Sequence, residues 1–152
     1  LMQLTLKYFV KVLIIFFLFS FNANSQEKFL SLKNSKVNVR YGPSLDSPIK
    51  YIYKKINLPI KILDTKENFR KIIDLKKNSG WIHISQLKKS NSFIIMEDKI
   101  LFKRGSIFSR PLIKIKKGRL LLIKKCQKNW CKVKTEKYTG WINNNKIWGT
   151  TN

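Results

Sequence analysis

Phe69-Arg70-Lys71-Ile72-Ile73-Asp74, then Lys76-Lys77-Asn78-Ser79-Gly80, then Trp81-Ile82-His83-Ile84: this stretch decides the fold class. Two short runs rich in β-branched and aromatic residues flank a cluster of turn formers, the pattern of a strand, a turn and a strand. The stretch returns further along as Trp130-Cys131-Lys132-Val133-Lys134, Thr139-Gly140 and Trp141-Ile142-Asn143. Phe69 and Trp130 stand 61 positions apart, as do Asn57 and Gly118, whereas the two Gly-Trp-Ile triplets stand 60 apart, so one residue is deleted between the landmarks. A period of this length is that of a whole small domain and not of a solenoid repeat. The chain is therefore read as a duplication of one all-β unit.

Outward from these landmarks the same punctuation continues. Val37-Asn38-Val39-Arg40 alternates like a half-buried strand and runs into Tyr41-Gly42-Pro43-Ser44-Leu45-Asp46-Ser47-Pro48, a loop dense in turn residues. Ile49–Tyr53 and Ile60–Asp64 are further strands, with Asn57 and Pro59 between them, and Leu87 is a last apolar plug before the polar stretch 88–92. In the second half Ile100-Leu101-Phe102 is a strand, Arg104–Pro111 a loop, Lys117-Gly118 a turn, and Leu120-Leu121-Leu122-Ile123 a strongly apolar strand. Ile147-Trp148 closes the unit.

These motifs resemble those of the bacterial SH3-like (SH3b) domain family. Val37-Asn38-Val39-Arg40-Tyr41-Gly42-Pro43-Ser44 is similar to the family's opening stretch, Phe69-Arg70-Lys71-Ile72 to its central strand with Phe in place of Trp, and Gly80-Trp81-Ile82-His83 to its closing strand. The second unit departs from the pattern at Lys103-Arg104-Gly105-Ser106 but keeps Trp130-Cys131-Lys132-Val133 and Gly140-Trp141-Ile142-Asn143. The arrangement resembles exported tandem SH3-like proteins of Gram-negative bacteria, some with a cysteine pair around this hairpin. The resemblance implies two tandem small barrels of about five strands each, at residues 34–89 and 96–149. Family members bind cell-wall peptides or accompany cell-wall hydrolases, and many have no known ligand.

The first 25 residues are read apart from the fold. Lys7 and Lys11 precede the unbroken apolar run Val12–Phe19, and Ala23-Asn24-Ser25 offers a small-x-small cleavage site before Gln26. Residues 1–25 are thus expected to be a secretory signal peptide, in transient contact with the membrane, and 26–33 a linker. A retained anchor is the competing reading, but the apolar run is shorter than the roughly 20 residues that span a bilayer. No cysteine follows to carry a lipid. Leu1 in place of Met suggests an unusual start codon, a start at Met2 or a trimmed chain. The mature chain is expected to be periplasmic or secreted.

The chain carries 32 basic and 8 acidic side chains. Without Lys7 and Lys11 the net charge is +22, which attracts polyanions such as peptidoglycan or another envelope polymer. Export makes nucleic acid a poor candidate. Two origins of the charge stay open, adhesion and compositional bias, since lysines far outnumber arginines and arginine is the better residue for bidentate phosphate recognition. Cys126 and Cys131 are the only cysteines. Their C-x4-C spacing matches neither a redox motif nor a zinc cluster, and in an oxidising compartment such a pair is expected to form a structural disulfide.

No catalytic constellation, metal site or cofactor motif is present in the sequence. His83, the one histidine, is expected to point away from the core between Ile82 and Ile84. Gly42, Pro43, Phe69, Gly80, Trp81, Trp130, Gly140 and Trp141 are expected to serve the fold, the tryptophans in the core or at the barrel rim. Tyr41, Tyr51 and Tyr53 in or beside the first long loop, with Arg40, form the candidate ligand-binding set, because tyrosine offers a flat apolar face and a hydroxyl. The expected function is a non-catalytic envelope-binding or scaffold module. The alternative is a structural module docking on another envelope protein.

Overall fold

The computed structural model describes residues 28–151, and the expected signal peptide lies outside them. Fourteen short strands follow one another in two sets of seven. The first set is β1 (Phe29–Leu32), β2 (Val37–Arg40), β3 (Ile49–Tyr53), β4 (Pro59–Lys66), β5 (Phe69–Ile73), β6 (Ser79–His83) and β7 (Leu87–Lys89), with a single 3-10 turn at Ile84–Gln86. The second set is β8 (Ser92–Ile95), β9 (Lys99–Phe102), β10 (Pro111–Ile115), β11 (Leu120–Gln127), β12 (Trp130–Lys134), β13 (Thr139–Asn143) and β14 (Ile147–Gly149). The sheet orders are β3-β2-β6-β5-β4-β1-β7 and β10-β9-β13-β12-β11-β8-β14, the same permutation shifted by seven. The two units expected from the repeated motifs are these.

Repeated local chemistry explains the repeated path. Glu67 and Lys128, 61 positions apart, open the two-residue hairpins Glu67-Asn68 and Lys128-Asn129 with φ of 47° and 52°. Asn57 and Gly118 also share the left-handed region, at 63° and 85°, where asparagine and glycine are the residues of least strain. Both donate a backbone N–H into the first strand of their unit, Asn57 to Leu32 and Gly118 to Ile95. Register breaks at Ile62/Asp64 and Ile123/Lys125 bend the long strands β4 and β11 at equivalent places, as bulges do. Each unit closes on its own core: Leu32, Val37, Val39, Ile60, Ile72 and Ile82 in the first, and Ile95, Leu101, Leu121, Cys131, Val133 and Ile142 in the second. Lys99 takes the place of Val37. It buries its stem and turns its ammonium to Glu97, 3.2 Å away, and to Asn145.

Two expectations need correction. Residues 26–33 are not simply a linker, because β1 lies within them and is hydrogen-bonded between β4 and β7. The second unit begins before residue 96, since β8 pairs with both β11 and β14. These strands, with β7 and β14, raise the count from about five to seven per unit. Ser31 and Ser92 disguise them. Each is fully buried, and a buried polar residue breaks the apolar alternation that marks a strand.

The hydroxyls of Ser31 and Ser92 meet at 3.2 Å across the boundary between the units, and Ser92 also donates to the Asn57 carbonyl. Beside this polar seam the Phe29 ring meets Trp148 edge-on at 5.1 Å, and the indole N–H of Trp148 donates to the Pro59 carbonyl at 3.0 Å. The two units are thus stapled to each other by residues from both ends of the described chain.

Cys126 and Cys131 form a disulfide across the β11–β12 hairpin, where they are directly opposed with a Cα separation of 4.0 Å. The closed loop is so short that chain entropy gives at most about 2 kcal/mol. Replacing both cysteines by alanine is expected to lower stability by about 1–3 kcal/mol, the cavity at buried Cys131 included, with the fold retained. Urea denaturation monitored by tryptophan fluorescence measures this; an unfolded double variant would show that the bridge is indispensable.

Candidate functional site

The loop Tyr41–Pro48 joins β2 to β3 and is built around two serines. Tyr41 N–H donates to the Pro48 carbonyl at 3.1 Å, Ser47 N–H to the Ser44 carbonyl at 3.2 Å, and Asp46 N–H to the Ser44 hydroxyl at 3.1 Å. Arg40 donates from Nη1 to the Ser47 carbonyl at 2.7 Å, which ties the loop to the end of β2. Gly42 lies against Ser47, whose Oγ would sit 2.7 Å from any added Cβ. Held in this way, the loop presents Tyr41 at 66% exposure and Leu45 at 67%. The Lys50 ammonium stands 5.6 Å from the centre of the Tyr41 ring and also donates to the Ser79 carbonyl.

The second unit repeats this loop although its letters depart. Lys103 N–H donates to the Arg110 carbonyl at 2.9 Å, Ser109 N–H to the Ser106 carbonyl at 3.1 Å, and Phe108 N–H to the Ser106 hydroxyl at 3.2 Å. These three bonds are those of the first loop displaced by 62 positions; Phe102 stands where Arg40 would, and the Arg104 N–H donates instead to the Ser109 hydroxyl at 2.9 Å. The sequence held a signal for it: Ser44-Leu45-Asp46-Ser47 is answered by Ser106-Ile107-Phe108-Ser109. Comparing the loops at their glycines and prolines hides the match, because Gly42 and Pro43 align with Arg104 and Gly105. The exposed large apolar residues here are Ile107 at 67% and Phe108 at 93%, neither of them in the sequence-based candidate set.

An aromatic floor underlies the second loop. Any Cβ on Gly105 would lie 3.3 Å from both Trp130 and Trp141, so the loop backbone rests on these two rings. Phe102 meets Trp130 edge-on at 5.7 Å, and the Lys125 ammonium lies 5.5 Å from the centre of the Trp141 ring. Trp81, Trp130 and Trp141 are half-buried, at the rim, while Ile82 and Ile142 fill the cores. Phe69 is buried edge-on to His83 at 5.1 Å. His83 is half-buried, and its Nδ1 accepts from the Ser85 N–H at the start of the 3-10 turn, so it points less freely to solvent than expected.

Tyr51 and Tyr53 stand beside the loop, on the strand expected over Ile49–Tyr53. They lie on β3 opposite Val39 and Val37 and pack on the first core. Their rings meet edge-on at 5.2 Å and their hydroxyls stand 3.4 Å apart. Tyr53 donates to Asp74 at 3.0 Å, and Asp74 accepts from the Asn78 backbone and side-chain N–H groups at 2.8 and 2.9 Å. Burial first, then Tyr51 and the Asp74 carboxylate, push the Tyr53 phenol far above the usual range, so it remains a donor. Arg40, at the end of β2, therefore braces the loop that carries Tyr41, whereas Tyr51 and Tyr53 belong to a hydrogen-bonded plug on β3. Among the described residues no three His, Cys, Asp or Glu side chains gather as a metal site would require.

A profile of the bacterial SH3 domain matches residues 33–89 and 109–149. No curated protein matches the chain. Among solved structures, NlpC2 from Trichomonas vaginalis is 12% identical over 84% of this chain and 50% of its own, with a TM-score of 0.38. NlpC1 from the same organism is 12% identical over 84% and 48%, with a TM-score of 0.36. An NlpC/P60 family protein from Bacillus cereus is 10% identical over 79% and 55%, with a TM-score of 0.38. The chain spans about half the length of these proteins. Scores this low leave the architecture to be judged from the strands themselves.

Proposed function

The chain belongs to the bacterial SH3 domain family, and on that premise we propose that it is a non-catalytic binding module of the bacterial cell envelope, with peptidoglycan or its peptides as ligand. Bacterial SH3 domains are generally cell-wall binding modules. The observation that carries the reading is the duplicated loop: one hydrogen-bonded frame, used twice, holds Tyr41 and Leu45 in one unit and Ile107 and Phe108 in the other at high exposure. Large apolar groups held out in water by a rigid frame lose little entropy on binding, and that is how a recognition loop gains affinity. The surrounding lysines add long-range, salt-sensitive attraction to an anionic wall.

Co-sedimentation of the purified mature chain with peptidoglycan tests this. Binding is expected at low salt and is expected to weaken as salt rises. The Tyr41→Ala/Phe108→Ala double variant, altered only at exposed positions, is expected to bind about tenfold more weakly, equivalent to about 1.4 kcal/mol, with unchanged stability. No sedimentation of the parent at low salt would sink the reading. The near-complete exposure of Phe108 favours a second one, in which the loops dock on an envelope protein. Cross-linking that captures one protein at near-stoichiometric yield would select it.

A further inference from the structure

The position filled by the tyrosine plug in the first unit is open in the second. Strand register equates Tyr51 with Ile113 and Tyr53 with Ile115, since the first pair opposes Val39 and Val37 and the second opposes Leu101 and Lys99. The turn closing each site is equivalent too: Asp74 N–H donates to the Asn78 carbonyl, and Thr135 N–H to the Tyr138 carbonyl. Where two phenol rings, a carboxylate and an amide interlock in the first unit, the second has two isoleucines, a threonine and, in place of the amide, Tyr138. The result is a recess of about 610 Å³ between β10, the turn 116–119 and the turn 135–138.

The lining has a definite chemistry. Lys114, Lys116, Lys117, Arg119 and Lys137 contribute cations, against a single lining acid, Glu136, which faces Arg119 at 3.6 Å. Asp98 lies behind the rim. It accepts from the Lys117 backbone N–H and pairs with Lys114 and Lys116 at 3.3 and 3.0 Å, so it orders the lysine turn while cancelling one charge. With Asp98 and Glu136 both counted, three positive charges stand uncompensated around one cavity. Ile113 and Ile115 supply apolar surface inside it, and Tyr138 a phenol at the mouth.

We propose that this recess binds an organic phosphodiester, either in a phosphate-bearing polymer or in a phospholipid headgroup. Several ammonium groups act as point charges suited to phosphate oxygens, and the isoleucines suit the carbon body that joins them. The site is separate from both long loops and does not rest on the peptidoglycan reading. It also distinguishes local recognition from the diffuse attraction that the lysine-rich chain exerts everywhere.

The test uses two probes, soluble poly(glycerol phosphate) and vesicles of phosphatidylglycerol in phosphatidylcholine, with affinities from calorimetry and vesicle flotation. Three variants are compared with the parent. Lys114→Gln/Lys116→Gln/Lys137→Gln removes charge at the recess. Lys36→Gln/Lys54→Gln/Lys66→Gln removes the same charge from exposed positions of the first unit. Ile113→Tyr narrows the recess with the first unit's own residue and leaves every charge in place. The recess triple is expected to weaken binding about tenfold and the distant triple less than about threefold. Ile113→Tyr is expected to weaken it by about fivefold or more, with amide spectra showing an intact fold. Binding of the polymer alone assigns the site to a wall polymer, and binding of vesicles alone assigns it to a membrane headgroup. Equal loss in the two lysine triples, unaltered binding in Ile113→Tyr, or no binding of either probe at low salt overturns the proposal.

Discussion

Gly140→Ala is expected to destabilise the chain by about 3 kcal/mol, at the upper end of the overpacking range. A Cβ at this position would lie 2.7 Å from the Phe102 carbonyl oxygen and 2.8 Å from Leu101 Cγ. The first is backbone of β9, which pairs with β13 next to this point through Trp141 and Phe102, so relief requires the strands to separate. Gly80 faces the equivalent pair in the first unit, Val39 and the Arg40 carbonyl, and Val39 is β-branched and fully buried, so its methyl has nowhere to turn. Gly80→Ala should therefore cost a comparable amount. Gly118→Ala is the informative control: its φ is +85° and nothing lies within 4 Å, so it carries only the backbone cost of about 1 kcal/mol. Urea denaturation of the three variants ranks them. If Gly140→Ala stays within 0.5 kcal/mol of the parent, close strand approach is not why glycine precedes both tryptophans.

The second large effect is expected at the boundary between the units. Trp148→Ala removes the edge-on contact with Phe29 and leaves the Pro59 carbonyl without its indole donor. Large aromatic truncations cost about 3–5 kcal/mol when fully buried. Trp148 is half-buried, so a loss of about 2–3 kcal/mol is expected. The effect should also be local. Ser31 and Ser92 lie in the adjoining seam, and their amides should exchange hydrogen faster, while Ile82 and Ile142, deep in the separate cores, should be far less affected. Trp81→Ala, at a rim position within one unit, serves as comparison. Protection at Ser31 and Ser92 that equals the parent's would mean that the staple does not hold the seam closed.

Most of the architecture was legible in the residues. The hairpin Glu67-Asn68, the Asn57 and Gly118 turns and the Gly-Trp-Ile strands each depend on chemistry within a few positions. A left-handed turn residue or a missing Cβ acts where it stands. The candidate loops were less legible. Arg40 and Tyr41 enter the candidate set because the first loop carries glycine and prolines. Ile107 and Phe108 do not, because the second loop keeps only the serines, whose hydroxyl and carbonyl carry the frame. Tyr51 and Tyr53 are read as lying in or beside the loop, and β3, expected as a strand over Ile49–Tyr53, packs them against the first core.

By itself, the sequence determined that there are two all-β units, where their turns fall, and that two cysteines five positions apart can close a hairpin. The tertiary structure alone decided three things: that β1 and β8 are strands, that the units meet through Phe29, Trp148 and a seam of serines, and that one cavity is plugged while its counterpart stands open. The physical reason is range. Turn geometry and strand period are set by neighbours in the chain. The burial of Ser31 depends instead on Ser92, 61 positions away, and the recess at Ile113 is lined by isoleucines from β10 together with residues of two turns distant in the chain.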